Sequence, residues 1–152
     1  MKRLTEGEAM AIEISMCDTV DDTVVAALAE LIPQLSSSSS LPDADQLAEI
    51  LAHDASTLLL AKDGDTVVGS MTLIVFPIPT GMRAWIEDVV VDENARGKGV
   101  GEALNRRAIE IAIQAGAKTI DLTSRPSREA ANRLYQRLGF SVRDTNIYRY
   151  QA

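Results

Sequence analysis

One cysteine, one histidine and one tryptophan are spread over 152 residues, and each scarcity removes a class of chemistry. With Cys17 alone there is no intramolecular disulfide and no thiolate metal cluster, and nothing points to an oxidising compartment, so a cytoplasmic setting is expected. His53, followed by Asp54, reads as a solvated residue at a helix end, which excludes a Ser-His-Asp triad. No metal site is expected from a single His and a single Cys far apart, without an acidic ligand cluster. Trp85 either lines an acceptor pocket or packs in a sheet.

Long hydrophobic runs are missing too. No stretch approaches the roughly 18 to 20 consecutive apolar residues of a membrane-spanning helix. Met1-Lys2-Arg3 imitates the start of a secretion leader, but Leu4-Thr5-Glu6-Gly7-Glu8 follows where its apolar core would begin, so no leader is expected. Positive charge is in deficit, with 15 basic against 22 acidic residues and a net charge of -7. That balance argues against nucleic acid or an anionic membrane as partner and favours a cationic or neutral substrate. It leaves room for an anionic cofactor where cations gather locally.

What is present suits one globular domain spanning residues 1–152, with 46% apolar and 24% charged residues. Ala11 to Ser15 reads as a first strand. Asp18 to Leu35 reads as a helix, with Val20, Val24, Leu28, Leu31 and Ile32 at helical spacing and Pro33 near its end. Ser36 to Ser40 is a serine loop, either a plain linker or a flap over a substrate site. Asp43 to Leu51 suggests a second helix. Ser56 to Ala61, Thr66 to Val75 and Arg83 to Val91 then form an antiparallel meander, turning at Asp63-Gly64 and through Pro77 to Gly81. A helix from Val100 to Ala115 follows and stops at Gly116. After it come a strand over Lys118 to Thr123, a helix over Ser127 to Leu138, and a final strand pattern from Phe140 to Tyr150. The fold class is α/β in the mixed α+β sense, a central, mostly antiparallel sheet flanked by helices.

The densest chemical pattern is Arg96-Gly97-Lys98-Gly99-Val100-Gly101, set between an apolar strand and an amphipathic helix. Such a turn offers free backbone N–H groups and the positive end of a helix dipole to phosphate oxygens, and Arg96 and Lys98 add cations. The P-loop spacing fails because Lys98 is followed by Gly99 rather than Ser or Thr. The dinucleotide spacing puts Glu102 where a third glycine belongs. Asp121 stands at about the ribose-binding separation, but such folds open with this unit, and here a meander precedes it.

These residues resemble the GNAT superfamily of N-acetyltransferases, whose cofactor signature is Arg or Gln, two residues, Gly, one residue, then Gly or Ala. Arg96, Gly99 and Gly101 fill it. Ile86-Glu87-Asp88-Val89-Val90-Val91 looks like the family's fourth strand, and Leu134-Tyr135-Gln136-Arg137-Leu138-Gly139-Phe140 like its second C-terminal signature. The resemblance covers Arg83 to Phe140, with the earlier half matched only in its order of strands and helices. It implies the GNAT acyl-CoA N-acyltransferase fold and an acetyl-CoA-dependent N-acetyltransferase acting by direct attack of a primary amine, of a small molecule or a peptide. The rival reading is a catalytically silent acyl-CoA-binding sensor.

The resemblance also implies site residues. Val89, Val90 and Val91 would pair their backbone with pantetheine. Arg96, Gly97, Lys98, Gly99, Val100 and Gly101 would hold the pyrophosphate. Tyr135 would be the general acid, and Glu87 the base in preference to Asp88 or a water chain. Arg128, Asn132 and Tyr135 share a helix face by i, i+4 and i+7 spacing, which makes Asn132 a further cofactor ligand. Many family members place an Asn nearer the start of this helix, where this chain has Arg128. A homodimer is compatible with an apolar final strand, although no residue specifies one.

Overall fold

The computed structural model describes residues 11–152, so the leader reading of Met1 to Glu8 lies outside the described residues. Two compact units are present, one ending at Leu122 and the other running from Thr123 to Ala152.

The first unit is built on a five-stranded sheet in the order β1-β2-β3-β4-β5, formed by β1 (Ile12–Met16), β2 (Ser56–Asp63), β3 (Thr66–Ile78), β4 (Gly81–Val91) and β5 (Thr119–Asp121). The first four pair antiparallel in sequence order, and β5 joins β4 in parallel. The expected meander is therefore present, and the sheet is mixed. Both hairpins have two-residue loops. Gly64, with φ of 60°, takes the first central position of the β2–β3 turn, as a primed turn requires. Pro79-Thr80 makes the other turn, and β3 runs past the expected end at Val75 because Pro77 and Ile78 still pair with Met82 and Gly81. The fixed φ of proline suits extended backbone, and here it forgoes a donor only at the tip of the ladder.

Helices α1 (Asp22–Leu35), α2 (Ala44–Ala52) and α3 (Val100–Gln114) accompany this sheet. α1 starts later than its apolar periodicity suggests, because the Asp21 carboxylate caps the Val24 N–H at 2.8 Å and ends the preceding loop there. In α2, Asp43 and Gln46 form a reciprocal capping box. Val24, Leu28 and Leu47 of these helices bury against Leu58 and Leu60 of β2. The opposite sheet face takes α3, where Gly69 of β3 lies against Val100 and Leu104. Gly116, with φ of 86°, follows the last turn of α3 as the expected stop.

The second unit contains α4 (Glu129–Arg137) and no strand. The strand expected over Phe140 to Tyr150 is not formed, and β5 is shorter than the expected Lys118 to Thr123. Phe140 is tied back to α4 instead. Its N–H donates to the Tyr135 carbonyl at 3.0 Å, and the two rings meet edge to face at 5.9 Å. Phe140, Val142, Tyr148 and Tyr150 keep one parity and only Ile147 departs from it, but the segment pairs with no strand among the described residues. Val142, Tyr148 and Tyr150 are almost fully exposed. The argument for self-association through an apolar final strand therefore loses its strand.

Candidate active site

β4 changes character halfway along. Its pairing with β5 covers only Arg83 to Trp85, so the β5-side edge from Ile86 to Val91 has no strand partner among the described residues. On the β3 side, Ser70 pairs with Val90 and Thr72 with Glu87, which leaves one extra residue in β4 opposite Met71. The bulge falls at Asp88, whose φ of 53° makes it the one described non-glycine residue with positive φ. Strict alternation would send Glu87 and Asp88 to opposite faces; with the bulge both carboxylates are exposed. The Trp85 indole N–H donates to Glu87 Oε1 at 2.7 Å, so half-buried Trp85 orients the carboxylate. Val90 is buried, with Val89 and Val91 half-buried on either side.

After β4 the chain makes a single 3-10 turn, Glu93–Ala95, capped by Asp92. The segment Arg96 to Gly99 is exposed, and α3 begins at buried Val100. Gly97 and Gly99 hold φ of 75° and 83°, and a Cβ at either would meet nothing within 4 Å. Both glycines are therefore needed for backbone conformation, and the space above them is open. Gly99 is the N-cap residue and no side chain caps the turn it opens, so the first N–H groups of α3 are available to an anion. Arg96 and Lys98 fold back on the turn, Arg96 Nε reaching the Val91 carbonyl at 3.3 Å and Lys98 Nζ the Asn94 carbonyl at 3.2 Å. Glu102, the acidic residue of the first turn, pairs with Arg106 at 2.8 Å. Fully buried Asn105 donates to the Gly101 carbonyl at 2.8 Å and steadies that turn from below. A diphosphate fits this donor set.

In the second unit, Arg128 precedes α4 as its N-cap residue, Asn132 is half-buried and Tyr135 buried. Burial pushes the Tyr135 phenol above its ordinary value, and the Arg128 guanidinium draws it partly back. Asn132 Nδ2 donates to the Arg125 carbonyl at 3.0 Å, so its amide shapes the loop leading into the helix. His53 is the exposed C-cap residue of α2, its Nδ1 accepting from the Ala55 N–H at 3.2 Å.

Glu87, Val89 to Val91 and Arg96 to Gly101 thus follow one another along a single stretch of the first unit, and Asn132 and Tyr135 share the helix of the second. Two residues of consequence carry no mark in the sequence pattern. Gln34, near the end of α1, reaches Asp92 and Glu93 through its side chain, a contact between positions 58 and 59 residues apart. Gly69 sits where a Cβ would meet Val90 O and Val100 Cγ1, both at 3.0 Å.

Known acetyltransferases resemble this chain over much of its length. L-2,4-diaminobutyric acid acetyltransferase of Shouchella clausii is 29% identical over 140 residues, covering 91% of this chain and 77% of that protein. Mycothiol acetyltransferase of Renibacterium salmoninarum is 35% identical over 118 residues, which cover 75% of this chain but only 35% of that longer protein. A solved structure of a provisionally named acetyltransferase from Agrobacterium tumefaciens str. C58 superimposes with a TM-score of 0.81 at 26% identity, covering 91% of this chain and 99% of the other. The model of the Acetyltransferase (GNAT) family matches residues 24–140, from the first buried turn of α1 through the bulged strand and the glycine turn to Phe140. With that match over most of its length, and with the glycine turn opening α3 as the resemblance implies, the chain belongs to the GNAT acetyltransferase family.

Proposed function

We propose that this protein transfers the acetyl group of acetyl-CoA to a primary amine, of a small molecule or a peptide, by direct attack. The observation that carries the reading is the uncapped start of α3 behind two left-handed glycines, flanked by Arg96 and Lys98 and preceded by a strand edge without a partner. Acetyl-CoA, when bound, supplies the thioester that the amine attacks. Arg96 to Gly101 hold its diphosphate through backbone N–H groups and two cations, and the free edge of Val89 to Val91 offers backbone groups to its amides as a strand would. Glu87, oriented by Trp85, takes the proton the amine must lose. Tyr135, kept neutral by burial, gives a proton to the departing thiolate. Asn132, whose Nδ2 is taken by the Arg125 carbonyl, offers its amide oxygen to the cofactor.

An amine acceptor is supported by the names of the relatives, one of which acts on diaminobutyric acid. The net charge of -7 favours a cationic acceptor over an anionic one. The test is release of free thiol from acetyl-CoA across a panel of diamines, amino sugars and peptide N-termini. Acceptor-dependent release is expected. Tight CoA binding with no turnover on any amine would overturn catalysis and leave a silent acyl-CoA sensor.

A further inference from the structure

We infer that Gln34 is a positioning residue for the cofactor turn, its side-chain amide fixing the path by which the chain leaves β4 and reaches Arg96. The inference rests on the acetyl-CoA reading of that turn. Both ends of the amide are used, with opposite polarity. Gln34 Nε2 donates to Asp92 Oδ2 at 3.1 Å, and Gln34 Oε1 accepts the Glu93 N–H at 2.9 Å. Its reach is set by the helix, since Leu31, one turn earlier, is fully buried.

From this clamp a hydrogen-bonded relay runs toward the glycines. Asp92 Oδ1 accepts the Asn94 N–H at 2.9 Å, and the Asp92 carbonyl accepts the Ala95 N–H at 2.9 Å. The Asn94 carbonyl in turn receives Lys98 Nζ. The Asp92 N–H donates to the Val68 carbonyl at 2.8 Å, which anchors the start of the segment to β3. Among the described residues, Gln34 is the one outside the segment whose side chain hydrogen-bonds to it. The Asp92 carboxyl lies below its usual range, chiefly through the hydrogen bond from Gln34 and next through the Asn94 backbone. A cofactor bound by backbone N–H groups depends on where the backbone stands, so loosening the approach weakens the cradle without touching it.

The test uses three variants of the full chain. Gln34→Leu removes, at similar size, the hydrogen bonds to Asp92 and Glu93 together with the one Nε2 gives the Glu30 carbonyl of its own helix. Gln34→Glu keeps an acceptor for the Glu93 N–H but sets two carboxylates against each other. Gln34→Glu combined with Asp92→Asn restores the clamp with its polarity reversed, because the new Asn amide donates to the new Glu. Each single variant should weaken CoA binding, read by calorimetry, about 3- to 10-fold, as expected for one or two lost hydrogen bonds. The KM for the amine and the turnover at saturating acetyl-CoA should stay within about twofold, since those report chemistry downstream of the cradle. The double variant should recover wild-type affinity, which a merely structural effect of position 34 would not do. Unchanged CoA affinity in Gln34→Leu, or a double variant no tighter than Gln34→Glu, overturns the role. Amide exchange at Glu93 without ligand keeps the two readings apart. If wild-type protein binds no CoA, the functional reading fails; if Glu93 exchanges no faster in Gln34→Leu, the clamp fails.

Discussion

Tyr135 is held in a setting that keeps its phenol protonated. Burial raises it above its ordinary value, and the opposing pull of Arg128 is the smaller effect. A general acid works in its neutral form, so turnover should hold from neutral into alkaline pH and fall only as pH rises through the raised phenol value. The sign for stability is the same. The fold favours the neutral phenol, so its contribution is complete below the unfolded value near ~10 and is lost as pH rises through the folded one. Tyr135→Phe keeps the edge-to-face contact with Phe140 and removes only the hydroxyl. It should lower kcat on the order of 100-fold, the low end for loss of a general acid, with CoA affinity within about twofold. Undiminished turnover would take Tyr135 out of the reaction. Gly99 is the complementary residue, because its role lies in the backbone. The Cβ of a valine there meets no neighbour within 4 Å, but the residue must adopt φ near 83°, which costs about 1–2 kcal/mol. Gly99→Val should therefore fold with a modestly lower Tm and lose CoA affinity at least about tenfold, since relief of that strain turns the N–H groups away from the phosphate.

At the scale of elements, a close contact behind the cradle is where α3 crosses β3 at Gly69. A Cβ at that position would come within 3.0 Å of Val90 O and of Val100 Cγ1, and 3.3 Å of Leu104 Cδ1. One methyl group would thus press on the strand proposed to meet pantetheine and on the helix that opens behind the glycine turn. Gly69→Ala should cost about 1–3 kcal/mol from overpacking and should also weaken CoA binding. Leu47→Ala serves as the comparison, because Leu47 packs α2 against β2 in a cluster with Val24, Leu28, Leu58 and Leu60. That cavity should cost about 2–5 kcal/mol while leaving CoA affinity unchanged. If the two variants weaken CoA binding alike, the effect of Gly69 is general loss of stability. Neither Gly69 nor Gln34 could be singled out in the sequence, since each matters through a partner far along the chain. The features written within a few residues were legible: the short helix beginning at Asp43, the stop at Gly116, and the glycines that open α3. The bulge at Asp88 lies between, because the sequence allows it and only the strand register shows it.

For the molecule as a whole, the antiparallel meander and the order of its helices were legible because apolar periodicity and turn residues agree with each other over those segments. The segment from Phe140 to Tyr150 failed for a physical reason. Apolar residues at strand spacing describe a face, whereas a strand also needs a partner edge, and Phe140 is instead drawn back to α4. The charge of the whole molecule makes a further prediction, because an acidic protein that binds an anionic cofactor must do so through local cations. Arg96 and Lys98 are exposed, so their attraction is screened by salt. CoA affinity should fall steadily as salt rises from low to high concentration, and Arg96→Ala should flatten that dependence; a salt-independent affinity would mean that the backbone N–H groups alone hold the phosphates. Binding also couples to global stability. A ligand at 100 times its Kd stabilises the folded state by about 2.7 kcal/mol, which for a chain of this size raises Tm by roughly 5–10 °C. Thermal denaturation with and without CoA should show that rise in wild-type protein, and the same CoA concentration should give a much smaller one in Gly99→Val, where the fold persists but the cradle does not. An equal rise in both would place the bound CoA somewhere other than the start of α3.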